Sequence, residues 1–315
     1  MGEYNQKVNN IIVEVKKVIK GKDIVIRKVL TSILAQGNIL IEDVPGVGKT
    51  TLALAFSRAM ALECRRMQFT PDVMPSDITG FSIYNKNIQD FEYKQGAIMT
   101  NLFLADEVNR TSSKTQSALL EVMEEGKVTV DGITRCVPKP FIVIATQNPI
   151  GSVGTHMLPE SQLDRFMIKI TIGYPNIESE ISMLKGKQNN VPLDSVQEVV
   201  NKEEVLIMQE QVENVFVHDD IFDYIARLVY ETRNNPLIEL GISPRGTVAL
   251  TQMAKASAFI DGRDYVIPED IIGCFEDVVS HRIILSSNAR LNNYTISDVI
   301  SEVRSKVAQG KRVKR

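Results

Sequence analysis

An apolar run, Asn38–Ile41, leads into Asp43-Val44-Pro45-Gly46-Val47-Gly48-Lys49-Thr50, and a helical pattern, Thr50–Ala61, follows at once. A strand, a glycine-bearing turn and a helix start in that order build a cradle for phosphate. Backbone N–H groups and the positive end of the helix face the anion, and Lys49 reaches the terminal phosphates. Thr50 then places its hydroxyl on Mg²⁺. Pro45, Gly46, Val47, Gly48 and Thr51 complete the loop around the ligand. The general pattern GxxxxGK[ST] is broken at its first position, where Asp43 replaces Gly.

The rest of the chain supplies the frame such a loop needs. Five short apolar runs read as buried strands: Asn38–Ile41, Arg66–Phe69, Asn101–Ala105, Phe141–Ala145 and Met167–Thr171. Helical patterns accompany them at Ile24–Ala35, Thr50–Ala61 and Ser113–Glu124. The alternation predicts an α/β fold, a parallel sheet with helices on both faces. From Ile177 onward the pattern is helical only, with Ile177–Lys187, Lys202–Glu213, Asp219–Thr232, Pro244–Ile260, Pro268–Ser280 and Ser297–Ala308 as candidates. Ser243-Pro244 and Pro268-Glu269-Asp270 put proline at the first helical position. The expected organisation is an α/β nucleotide-binding domain over residues 1–175 and a smaller all-helical lid domain over 176–315, with a basic tail at Gly310–Arg315. Two hairpins interrupt the first domain. One is Val128–Val130 and Ile133–Arg135 around Asp131-Gly132, a favoured pair for a tight primed turn. The other spans Phe81–Tyr93 around Asn85-Lys86-Asn87.

Chemistry gathers at the ends of the strands. Asn101–Ala105 delivers Asp106 and Glu107, at the edge where ligands of parallel sheets bind. Acidic residues often end a strand. With a phosphate loop 57 residues upstream, Asp106 is placed to hold Mg²⁺ and Glu107 to orient and polarise an attacking water. The gap also holds the strand Arg66–Phe69, expected between the two motif strands. Phe141–Ala145 runs into Thr146-Gln147-Asn148-Pro149, where Asn148 is either a simple turn residue or an amide that bonds the γ-phosphate or the attacking water. Arg165 precedes the fifth strand and Arg245 opens a lid helix; most surface arginines are solvated or in weak ion pairs. His156, His218 and His281 are isolated and make no metal-ligand spacing.

Composition removes other classes. No apolar run approaches the ~18 residues of a membrane helix, and no signal peptide opens the chain. Three separated cysteines, Cys64, Cys136 and Cys274, fit reduced thiols and a cytoplasmic protein. A net charge of −3, with basic clustering only at the tail, weighs against a nucleic-acid partner and a membrane surface.

Taken together the motifs resemble those of the AAA+ ATPases, and nearly the whole chain looks like a member of the MoxR family. The stretches that carry the resemblance are EDVPGVGKT at 42–50, QFTPDVMPSDITG at 68–80 and LFLADEVNRTSSKTQSALLEVMEEG at 102–126. VTVDG at 128–132, ATQNP at 145–149, LPESQLDRF at 158–166 and GISPRGTVAL at 241–250 extend it. The resemblance implies ATP and Mg²⁺ as ligands, with Lys49 and Thr50 as Walker A residues, Asp106 and Glu107 as the Walker B pair, and Asn148 as sensor 1. It makes Arg165 the arginine finger, acting on ATP bound to the neighbouring subunit, and Arg245 the sensor 2 arginine. Ile19 and Gly21 fall where the family packs chain against adenine. The segment near 80–98 corresponds to the helix 2 insert and 126–138 to the pre-sensor 1 hairpin; Ala97 stands after Gly96 where the pattern has proline. The implied assembly is a homo-oligomeric ring, a hexamer. The implied work is chaperone-like remodelling or maturation of protein complexes, with clients such as von Willebrand factor A domain proteins. An ATP-gated binding switch is the alternative, with a nucleic-acid motor and a metal-chelatase subunit behind it.

Overall fold

The computed structural model describes residues 2–87, 89–148, 158–174, 177, 180–181 and 193–307. The strands of its first half are β1 (Ile39–Glu42), β2 (Cys64–Gln68), β3 (Gly80–Asn85), β4 (Asp90–Gln95), β5 (Leu102–Asp106), β6 (Lys127–Val130), β7 (Ile133–Cys136), β8 (Ile142–Gln147) and β9 (Ile168–Ile170). Five of these form one parallel sheet in the order β2-β5-β8-β1-β9. All five runs expected to be strands are in it. Their spatial order corrects one expectation. The run Arg66–Phe69, now β2, does not lie between the two motif strands. It is the edge strand beside β5, and β8 separates β5 from β1. Burial explains the exchange. β8 buries all six of its residues and reads as a continuous apolar run suited to the sheet centre. Every residue of β2 (Cys-Arg-Arg-Met-Gln) remains at least partly exposed, which an edge tolerates.

Helices α1 (Gly2–Val18), α2 (Asp23–Leu34) and α3 (Lys49–Ala59) cover one face of the sheet, and α5 (Ser113–Glu125) the other, with the short α4 (Pro75–Thr79) beside it. α1 adds to the expected helices: its Val8, Ile11 and Val15 recur at helical spacing and are fully buried. Ser112 caps α5 by accepting the Thr115 N–H at 3.3 Å, and Gly126 ends it at φ 63°. Both hairpins form as expected. β6 and β7 join through Asp131 and Gly132 at φ 52° and 76°, the left-handed pair that a primed turn needs. β3 and β4 pair from Gly80↔Gln95 to Asn85↔Asp90.

The second half holds helices Lys202–Glu213, Asp219–Asn234, Pro244–Ile260, Pro268–Val279, Ser287–Leu291 and Ile296–Lys306. It is not purely helical, as the sequence pattern suggested. β10 (Ile238–Leu240) and β11 (Ile284–Leu285) pair antiparallel. Strands of three and two residues are too short to show a period of two. The 175/176 boundary, most of the expected helix Ile177–Lys187, and the tail at 310–315 lie outside the described residues, as do Pro149 and His156. One buried apolar cluster runs from α1, α2 and one face of the sheet into the lid helices, and a smaller one around Phe69, Phe103 and Phe166 fills the other face. Lys28–Asp277 at 2.8 Å and Arg27–Asp261 at 2.6 Å tie α2 to the lid. No described helix is long and apolar enough to cross a membrane.

Candidate active site

The loop between β1 and α3 lies at the C-terminal edge of the sheet. Gly46 and Gly48 adopt φ 87° and 95°, and a Cβ on either would touch nothing within 4 Å. Glycine is therefore needed here for backbone conformation rather than for space. Gly48 is the N-cap of α3 and offers no side chain to the first-turn N–H groups, and no acidic residue follows in that turn. An anion fits that unsatisfied, positive helix end. Lys49 is buried and donates to the Asp43 carbonyl at 2.5 Å. Burial pushes its ammonium below the usual lysine range, and the surrounding carboxylates of Asp43, Asp106, Glu107 and Glu42 partly offset the effect.

Asp43 explains why this loop does without the usual first glycine. Its carboxylate accepts three backbone N–H groups: Val44 at 2.8 Å, Ile172 at 2.7 Å and Gly173 at 2.6 Å. The start of the phosphate loop is thus fastened to the exit of β9. Lys22, between α1 and α2, donates to the next carbonyl, Tyr174, at 2.7 Å. These links carry the turn holding Ile19 and Gly21 toward the same edge, with Ile19 buried and Gly21 at φ 66°.

The carboxylates at the end of β5 are held by neighbouring strands. Asp106 accepts the Thr146 hydroxyl at 2.6 Å and the Arg66 guanidinium at 2.7 and 3.1 Å. Glu107 takes a left-handed φ of 57°, and its N–H donates to Thr146 Oγ1 at 2.9 Å. Its carboxylate accepts Arg110 at 2.8 Å and the Asn148 amide at 3.1 Å. Asn148 and Glu107, 41 positions apart, are therefore in direct contact. Among the described residues no three of His, Cys, Asp and Glu converge to make an all-protein metal cage. Mg²⁺ keeps waters and takes one or two carboxylates with phosphate oxygens. Asp106 and Thr50 provide hard oxygen donors of that kind.

Arg165 and Arg245 are elsewhere. Arg165 donates to the Leu120 carbonyl at 2.9 Å and pairs with Glu124 at 3.0 Å; Arg245 bonds the other oxygen of the same carboxylate. Both line a cleft with Gly37 and Asn38, which lead into the N-terminal end of β1. The phosphate loop leaves the opposite end. Four strand residues at ~3.3 Å each separate the two edges by about 13 Å. The fold thus brings Lys49, Thr50, Asp106, Glu107 and Asn148 to one edge and sends both arginines to the other.

Spacing within the chain did not reveal Thr146, Arg66, Arg110 or Glu124. Thr146 and Arg66 reach Asp106 through sheet order, and Glu124 meets its arginines through tertiary packing, for which a single sequence holds no local signal. Arg110 is only three positions from Glu107, and that spacing alone is common among surface ion pairs. The aromatic residues of the β3–β4 hairpin divide. Tyr93 packs, its hydroxyl donating to Thr79 O at 2.5 Å and its ring lying 3.9 Å under the Arg135 guanidinium of β7. Tyr84 and Phe91 meet edge to face, 5.6 Å apart, and remain 54% and 68% exposed.

Comparisons with known proteins agree with this architecture. Residues 38–168 match the family described as "ATPase family associated with various cellular activities (AAA)", and residues 230–303 match the AAA lid domain. An uncharacterized protein, YeaC, of Bacillus subtilis is 45% identical over 93% of this chain and 92% of its own length. Chaperone MoxR1 of Mycobacterium tuberculosis is 39% identical, over 94% of this chain and 81% of its own. The crystal structure of a candidate ATPase from Cytophaga hutchinsonii superposes with a TM-score of 0.91 at 40% identity, covering 98% of this chain and 96% of that one.

Proposed function

The chain belongs to the MoxR family of AAA+ ATPases and is itself an ATPase, and we propose that it works as a closed ring whose sites are completed by neighbouring subunits. Lys49 and the loop Pro45–Thr51 hold the phosphates, and the turn at Ile19 and Gly21 packs against the adenine. Glu107, steadied by Asn148 and Arg110, orients the attacking water and draws off its proton. Asp106 and Thr50 would hold Mg²⁺, which would supply positive charge to neutralise the phosphates. Arg165 and Arg245 act on the nucleotide of the adjoining subunit, where a trans arginine is worth roughly 10³–10⁵ in rate. A head-to-tail interface that closes into a ring, here of six copies, lets each subunit give and receive these groups.

One observation carries this reading: both arginines share Glu124 at the sheet edge opposite their own phosphate loop. A site lacking them is electrostatically unfinished within one chain. Hydrolysis then changes the angle between the α/β domain and the lid and moves the paired hairpins against a protein client. The relative named as a chaperone supports remodelling or maturation as the outcome; von Willebrand factor A domain proteins are the clients we propose. The three free thiols suit the cytosol.

Mixing variants tests the shared site. Arg165→Ala and Glu107→Gln should each be inactive alone, and together should regain hydrolysis in rings that pair an intact site with an intact finger. A dead mixture in which mixed rings demonstrably form would sink the trans role. Tight nucleotide-dependent client binding with negligible turnover would instead favour the binding switch.

A further inference from the structure

We propose that Arg282 and Asp164 form a positioning clamp that sets Arg165 and Arg245 as one rigid unit for presentation to the neighbouring site; the inference rests on the trans reading above. Arg282 follows the helix Pro268–Val279 and is 5% exposed. All three of its guanidinium nitrogens are used. Nε donates to Asp164 Oδ1 at 2.8 Å. Nη2 donates to the Asp164 carbonyl at 3.1 Å and the Phe166 carbonyl at 2.5 Å. Nη1 donates to the Met167 carbonyl at 3.0 Å and to Val278 O. The acceptors at Asp164, Phe166 and Met167 surround Arg165 in the chain, so the backbone on both sides of the finger is pinned to the lid.

Asp164 extends the clamp to the second arginine. Its carboxylate accepts the Ser243 hydroxyl at 2.8 and 3.0 Å. Ser243 is the N-cap of the helix Pro244–Ile260 and also accepts the Gly246 N–H at 3.1 Å. Arg245 is the second residue of that helix. Gly246 lies so close to the buried arginine that a Cβ there would come 2.8 Å from Arg282 Cδ. The guanidinium is therefore wedged between the segment that carries Arg165 and the first turn that carries Arg245.

Chemistry favours positioning over simple adhesion. Burying a guanidinium is costly unless its donors are satisfied, and an apolar side chain would join these surfaces at a lower cost. A planar fork with five donors fixes orientation in a way that apolar packing does not. Arg165 and Arg245 themselves are partly exposed; they share the carboxylate of Glu124, and Arg165 also donates to the Leu120 carbonyl at 2.9 Å. Those contacts hold the side-chain tips, and the backbone beneath them sets the position from which both arginines start.

The test uses the full chain with Arg282→Lys, which keeps the charge and loses the fork, and with Asp164→Asn, which keeps the size. Each variant is assayed alone and mixed with Glu107→Gln, beside an Arg165→Ala plus Glu107→Gln control. The expected result is ATP affinity within about twofold of wild type, and kcat lowered roughly 10- to 100-fold, as misplacement of about 1 Å can cause. Mixing should restore turnover, because Glu107→Gln subunits bring a correctly aimed pair of arginines. Wild-type kcat in both variants would overturn the clamp. So would a control that recovers while the clamp variants, folded or not, remain dead in the mixture. If the control also stays dead, the trans reading has failed and the clamp falls with it.

Discussion

Asp43 stands where phosphate loops generally carry glycine, and its contacts show what the chain obtains from the change. Three backbone N–H groups converge on one buried carboxylate, joining residues 129 and 130 positions apart to the loop. Hydrogen bonds to an ionised acceptor contribute about 1.5–3 kcal/mol each, and removing the acceptor strands the buried donors. Asp43→Ala should therefore lower unfolding stability by about 2–4 kcal/mol, measured by urea denaturation. Asp43→Gly restores the general loop pattern, yet should lose a similar amount. A stability equal to wild type in Asp43→Gly would mean that the carboxylate is dispensable. The aspartate was visible in the sequence as a departure. Its purpose was not, because Ile172 and Gly173 approach it only when β9 pairs with β1.

The β3–β4 hairpin leaves the body through a crossing of two glycines. A Cβ on Gly96 would overlap the Ile78 carbonyl and the Gly80 amide nitrogen, and Gly80 itself has φ 87°. Here the neighbours are backbone, which cannot yield as a side chain can. Ala97 fills the place where the family pattern has proline, and its N–H donates to Asp77 O at 3.0 Å. Proline could not make that bond. Gly96→Ala should open the base of the hairpin, costing about 1–3 kcal/mol as overpacking does. Limited proteolysis within 80–95 should quicken while ATP affinity stays near wild type. Unchanged cleavage would show that the crossing can relax. Hairpin existence was legible from alternating residues around polar turns. The link between the hairpins was not, since Tyr93 and Arg135 belong to different strand pairs and meet only through packing.

Across the whole molecule, charge is divided between two edges of one sheet. Lys49, Asp106, Glu107 and Asn148 occupy the C-terminal edge, and Arg165 and Arg245 the other, with Glu124 shared between the two arginines. A lone subunit should be a poor enzyme. Hydrolysis per subunit, measured across a protein concentration series with Mg²⁺ in excess, should rise and then level off as rings complete their sites. Arg165→Ala should stay low throughout, by roughly the 10³–10⁵ that a trans arginine supplies. A wild-type rate that is flat with concentration while sizing shows monomers would contradict the shared site.

Local chemistry alone determined a good deal of this protein. The strand runs, the glycine turn with Lys49 and Thr50, the Asp131-Gly132 hairpin and the proline-capped lid helices each depend on residues within a few positions. Period, turn and capping preferences are read at that range. The tertiary structure decided the rest: β2 at the edge and β8 in the middle, the short β10–β11 pair, the contact of Asn148 with Glu107, and the buried Arg282 that joins Asp164 to the lid. Those outcomes turn on which surfaces are buried together. A hydrogen bond between residues 118 apart, such as Arg282 to Asp164, exists only after folding has brought the two together and buried the arginine.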